Sequence, residues 1–198
     1  MAYSWSKNVI KIDPTTYLLW ALSALIIPAG WLCAWFAATT VHELGHYISL
    51  RFMDVDVSEV RINHSGILMR SRSMTHMQQA VCSLAGPFAG LILLPIMRRY
   101  PILAICLLFQ SLFNLLPIYP LDGGVVIYEL LAQIFGETVA WNSVHIISNI
   151  LRLVVSIIIL VIGVQLKSLL LFVVIVAIFL CKTGFVKFPC KPRKVIVQ

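Results

Sequence analysis

The chain has 198 residues, 60% of them hydrophobic and 12% charged, with a mean hydropathy of +0.94. Soluble domains carry about 25% charged residues, so half that share, gathered into long apolar runs, argues against an ordinary soluble domain and for several membrane spans. The net charge of +7 fits basic cytoplasmic loops rather than a nucleic-acid surface, and five cysteines without paired spacing argue against a disulfide framework or a zinc ribbon.

The N-terminus lacks the basic, apolar, small-residue pattern of a removable leader and is expected to be mature chain. Thr15 to Ile27 predicts a short first span, ended by Pro28 and Gly30. The second, Trp31 to about Phe52, contains the stretch VHELGHYISL. Arg51 to Arg72 is polar, and inside it VDVSEVRINHSGILM places β-branched residues around an NHSG turn. That pattern predicts a short β-hairpin, whose free edge would suit an extended peptide. Met77 to Met97, Ile102 to Leu116, His145 to Val164 and Leu169 to Leu180 predict four further spans. Tyr128 to Asn142 is amphipathic and reads as a short surface helix, and the chain from Lys182 is basic. The expected fold is an all-α membrane protein, a polytopic bundle of about six transmembrane helices with a β-hairpin between the second and third. It is expected as one membrane-embedded unit over residues 1–198, with a core over about 15–131, further spans within 143–182 and a basic tail over 183–198.

An even number of spans puts both termini on one side. Cytoplasmic termini place 11 of the 15 basic residues inside, as the positive-inside rule asks. Arg98 and Arg99 run against the rule, and Arg152 falls within a span.

His42 and His46 are four residues apart, so on a helix they share a face one turn apart. Two imidazoles in that arrangement bind zinc, and the adjacent Glu43 can take a proton from an attacking water. An isolated match of this kind is weak evidence on a soluble helix, where both histidines can simply be exposed. In a membrane segment a charged residue costs about 2.5–3.5 kcal/mol on insertion scales and is seldom kept without a role. His42 precedes Arg51 by nine residues, about 13 Å of helix, which puts the motif inside the membrane towards its cytoplasmic face.

A catalytic zinc needs a third protein ligand and an open position. Leu50 to Met53 supplies no third histidine. The candidates are Asp54, Asp56, Glu59, His64, His76, Asp122, Glu129 and Glu137. Helix direction favours Asp122: the second and fourth spans run the same way, so their C-terminal ends meet at one face. In FNLLPIYPLDGG, two prolines end the helix and Gly123 and Gly124 allow a sharp turn. Asp122 and Glu43, both ionised, would neutralise one Zn²⁺, which lessens the cost of burying the site.

HELGH on a span, AGP at Ala85 to Pro87 and NLLPIYPLDGG at Asn114 to Gly124 together resemble the site-2 proteases, intramembrane zinc metalloproteases. The resemblance is nearest to the bacterial branch that processes a sporulation sigma factor. It implies one Zn²⁺ per chain held by His42, His46 and Asp122, Glu43 as the catalytic glutamate, and Asn114 as a substrate-positioning residue. It also suggests a membrane-associated regulatory protein as substrate; the basic-residue topology would have it cut close to the cytoplasmic side of its own membrane segment, and no nucleic-acid partner is expected. Two positions depart from the pattern: Ser65-Gly66 stands for a paired glycine, and Val125 for a basic residue after LDGG. Two rival readings remain, a metal-handling transporter and an inactive relative that binds a membrane partner. Spans nearly bare of ionisable groups disfavour the first, and the complete His, Glu, His, Asp set disfavours the second.

Overall fold

The computed structural model describes residues 9–12, 20–21, 23–55, 57–63, 66–71, 74–165 and 196–197. In chain order the elements are strand β1 (Val9–Ile12), helix α1 (Ala29–Phe52), strands β2 (Val57–Asn63) and β3 (Gly66–Ser71), helix α2 (His76–Leu93), a 3₁₀ turn (Ile96–Arg99), helices α3 (Pro101–Asn114), α4 (Asp122–Phe135) and α5 (Glu137–Gln165), and strand β4 (Ile196–Val197).

Local chemistry explains where the helices begin and end. Thr75 caps α2 by accepting from the Gln78 amide at 3.2 Å, while the Gln78 side chain accepts from the Thr75 amide at 3.0 Å. This reciprocal pairing satisfies two backbone donors. Pro101 opens α3, where its missing N–H costs nothing. Gly136, at φ 85°, separates α4 from α5, a left-handed conformation that glycine adopts without a Cβ penalty.

Several expected boundaries move. The third predicted span stops at Leu93 rather than Met97, because Pro95 lies ahead and Ile96–Arg99 tightens to a 3₁₀ turn. The fourth is 14 residues long, about 21 Å, short of a hydrocarbon core of about 30 Å. The fifth begins at Glu137, eight residues before His145, so the predicted surface helix is divided at Gly136 between α4 and α5. Among the described residues one helix, over Glu137–Ile158, is long and apolar enough to cross a membrane by length and composition. The first expected span is described only in part, and the sixth lies outside the described residues.

Helix α2 packs against α1, α3 and α4, and α5 packs on α4. The α1–α2 approach depends on Gly45. A Cβ there would stand 2.5 Å from the Ala85 carbonyl oxygen and 2.8 Å from the Ala89 Cβ. Small residues let two backbones come this close, so dispersion contacts form without a bulky side chain between them. Beside the helices the four strands form one sheet in the order β1-β2-β3-β4. β1 runs parallel to β2, and β2–β3 and β3–β4 are antiparallel. The outer edges of β2 and β3 are therefore occupied, by β1 over Glu59 to Ile62 and by β4 at Met69 and Arg70. The expectation of a free edge there is narrowed, because strands far away in sequence take up part of it.

Gly45→Ala should lower the thermal midpoint of the detergent-solubilised protein, with an overpacking cost of about 1–3 kcal/mol. Thermal unfolding followed by circular dichroism reads it, and an unchanged midpoint would mean that the α1–α2 spacing is not tight.

Candidate metal centre

Helix α1 presents His42 and His46 on one side, and both are buried. Their rings meet edge to face at 4.8 Å, with the two Nε2 atoms 3.2 Å apart. His46 Nδ1 lies 2.8 Å from the Cys82 carbonyl oxygen of α2. A carbonyl only accepts, so Nδ1 carries a proton and donates to it, which turns Nε2 inward. Above that ring is Gly86, where any Cβ would collide with His46 Nε2. This gives the AGP stretch a physical role that sequence reasoning missed: it leaves room for an imidazole.

Asp122 is the first residue of α4 and is buried. Its Oδ2 lies 3.2 Å from His42 Nε2 and 3.6 Å from His46 Nε2. The ligand atoms of His42, His46 and Asp122 all fall within 4.8 Å of one another, and among the described residues this is the group able to hold a metal ion. Two nitrogens on a tetrahedral zinc at about 2.0–2.1 Å stand about 3.3 Å apart. The observed separations of 3.2, 3.2 and 3.6 Å fit that ion, and the donor set, two imidazoles and one carboxylate, suits zinc. Glu43 follows His42 on α1, about 100° further round the helix, and is half-buried.

Gly123 and Gly124 do not make a sharp turn, as the sequence suggests. Both sit in the first turn of α4 and are buried. A Cβ on Gly123 would strike the Leu115 carbonyl, and one on Gly124 the backbone of Ile118 and Tyr119. The glycines let α4 start directly against the preceding loop, which sets the depth of Asp122. Burial, with Glu129's negative charge adding to it, raises the Tyr119 phenol above its ordinary range.

The other candidates lie elsewhere. His76 pairs with Glu129 at 2.6 Å, joining the start of α2 to α4. Asp54 and Glu137 are exposed. Asn114 ends α3, its amide donating to the Gln110 carbonyl at 3.1 Å. Asp56 and His64 lie outside the described residues, and Glu59 is in β2.

Comparisons with known proteins follow the same lines. The structure is similar to the site-2 protease from Methanocaldococcus jannaschii, with a TM-score of 0.61 over 98% of both chains at 19% sequence identity. The chain therefore has the fold of that protein. In sequence it is 30% identical over 139 residues to the "Putative zinc metalloprotease sll0528" of Synechocystis sp.. That match covers 62% of this chain and 35% of the relative's length, so the chain spans about a third of the curated protein it matches. No family model matches.

The purified protein, prepared without chelator, should contain one zinc per chain by elemental analysis. His42→Ala and Asp122→Ala should each lose most of it. A wild-type protein free of divalent metal would refute the assignment of a metal centre.

Proposed function

We propose that the chain is an intramembrane zinc metalloprotease that hydrolyses a peptide bond in or near the membrane segment of a membrane-associated regulatory protein. The observation that carries the reading is the convergence of His42 Nε2, His46 Nε2 and the Asp122 carboxylate in a buried space next to Glu43. The names of the two similar proteins and the fold of one of them support it.

The surface supports placement in a membrane. Large apolar side chains stand exposed along α3, at Ile105, Leu108, Phe109 and Leu112, and along α5, at Ile146, Ile150, Leu153, Ile157 and Val161. Phe52 is 86% exposed and Leu25 85%. Apolar surface this extensive marks contact with lipid or a partner rather than with water. The polar groups that carry the chemistry are turned inward, as expected of ionisable residues at membrane depth.

Zinc, when bound, supplies Lewis acidity towards the scissile carbonyl and the attacking water. His42, His46 and Asp122 are its ligands in this reading, and one position stays open for substrate. The Cys82 carbonyl orients His46, and the Asp122 charge offsets that of the metal. Glu43 accepts the proton of the water as it attacks the carbonyl carbon, then passes that proton to the departing amine as the C–N bond breaks. Asn114, at the end of α3, is placed in the same reading as a group that positions substrate.

The whole chain forms one membrane-embedded unit in this proposal, with both termini and the face nearest the site in the cytoplasm. The distribution of basic residues supports this side. The sheet supports placing the chain ends together, since β1 near the N-terminus and β4 near the C-terminus join β2 and β3. A substrate would be cut close to the cytoplasmic face and would release a cytoplasmic fragment, which suits a regulator held at the membrane until cleavage.

Glu43→Gln should keep zinc and fold and lose hydrolysis by about 10²–10⁴-fold, because an amide cannot take the proton. Comparing the membrane proteins cleaved by wild type and by this variant would also identify substrates. Near-normal turnover in Glu43→Gln would remove Glu43 as the base. The side of the membrane has its own test: cysteines at Asp56 and Val197, in a chain cleared of its native cysteines, should react with an impermeant thiol reagent only after the membrane is opened. Ready labelling of both in intact cells would reverse the topology.

A further inference from the structure

Arg152 lies in the middle of the apolar helix α5, and the proposed chemistry does not use it. It is half-buried, and its guanidinium turns inward. Nη2 donates to the Tyr119 carbonyl in a short hydrogen bond, and Nη1 donates to Asn149 Oδ1 at 3.3 Å. One turn earlier, the fully buried Ser148 accepts from the Tyr119 amide through Oγ at 2.9 Å. Both backbone polar groups of one residue are thus taken up by side chains at i and i+4 on a single face of α5.

The same helix also grips this loop with apolar contacts. Leu151 and Val155 pack against the buried Ile118 and Leu121, on either side of Tyr119 in sequence, and Trp141 meets the Tyr119 ring edge-on at 5.4 Å. The gripped segment lies between the end of α3 and Leu121, the N-cap of α4. Pro117 and Pro120 have no amide to donate. Tyr119 offers the loop's handle: its N–H donates to Ser148 and its C=O accepts from Arg152. Three residues later comes Asp122. Among the described residues Arg152 makes no ion pair, so its charge is directed at a backbone carbonyl rather than at a carboxylate.

We propose that Ser148 and Arg152 are positioning residues for Asp122. By holding Tyr119 at both its amide and its carbonyl, α5 fixes the loop and so sets the carboxylate opposite the two Nε2 atoms. The proposal rests on the reading of His42, His46 and Asp122 as the metal centre. Outer-shell groups that orient a ligand typically change metal affinity 10–100-fold.

The test measures metal binding by the full chain in detergent, with zinc competed against a chelator of known affinity and with Co²⁺ in its place for absorption spectra. Arg152→Ala should bind zinc about 10–100-fold more weakly and shift the Co²⁺ bands as the carboxylate moves. Arg152→Lys, which can still donate to the Tyr119 carbonyl, should recover much of the loss. Ser148→Ala should weaken binding in the same direction, and Leu153→Ala, on the exposed side of α5, should not. Wild-type affinity and an unchanged Co²⁺ spectrum in Ser148→Ala or Arg152→Ala would overturn the proposal, whatever happens to hydrolysis. If Arg152→Ala does not fold, Ser148→Ala and Arg152→Lys decide by the same readout. A wild-type chain that takes up neither metal overturns the metal centre itself, a different result from equal binding by wild type and variants.

Discussion

Three potential metal-binding groups meet at one buried point, and much of the surrounding architecture bears on that convergence. Helix periodicity supplies two of them from a single element, His42 and His46 on α1. The third must come from a separate helix, and it is a carboxylate, which is costly to remove from water without partners. The Asp122 carboxylate stands 3.2 and 3.6 Å from the two imidazole Nε2 atoms, and a cation shared by the three groups would offset the cost of its burial. Such an arrangement tolerates little error, so the elements around it are packed without slack. Gly45 lets α2 close on α1, Gly86 leaves space for the His46 ring, and Gly123 and Gly124 seat α4 on the preceding loop.

The structure buries polar groups among small and apolar ones and exposes large apolar side chains. His42, His46, Gln79, Gln110, Ser111, Asp122 and Ser148 are buried, whereas isoleucines, leucines and phenylalanines line the exterior of α3 and α5. In water this distribution would be unstable, since the hydrophobic effect drives apolar surface inward. Against hydrocarbon there is no such penalty, and helices are held together by close packing and interhelical hydrogen bonds. The His46–Cys82, His76–Glu129 and Ser148–Tyr119 contacts each join two parts of the bundle in that way.

Helix α5 occupies a distinct place in this scheme. It contributes none of the three converging groups, yet it contacts the loop that leads into Asp122, through polar groups on one face and apolar groups beside them. The division of labour is physically sensible. The loop bonds part of its own backbone, Ile118 to Leu116 and Leu121 to Ile118, and a serine and an arginine one turn apart on the neighbouring helix take up the amide and carbonyl of Tyr119. In the proposed scheme Asp122 is then positioned by a helix as well as by the loop.

What the sequence by itself determined was local. The four-residue spacing in HELGH specifies a shared helix face, because 3.6 residues per turn is a property of every α-helix. The direction of successive helices was enough to favour Asp122 over seven other acidic or imidazole groups. Tertiary structure decided what periodicity does not encode. Glycine reads as a turn signal at 123 and 124, and whether it makes a turn or a close contact depends on which backbone lies opposite. Arg152 looks like a charge stranded in an apolar run until the Tyr119 carbonyl is placed beside it. Cys82 contributes through its backbone carbonyl, a group common to every residue and so invisible in the sequence. Distant strands cap the edges of β2 and β3, and nothing local to those strands announces it. Each of these features arises between segments far apart in the chain, where distance in space, rather than residue type or spacing, determines what a group can do.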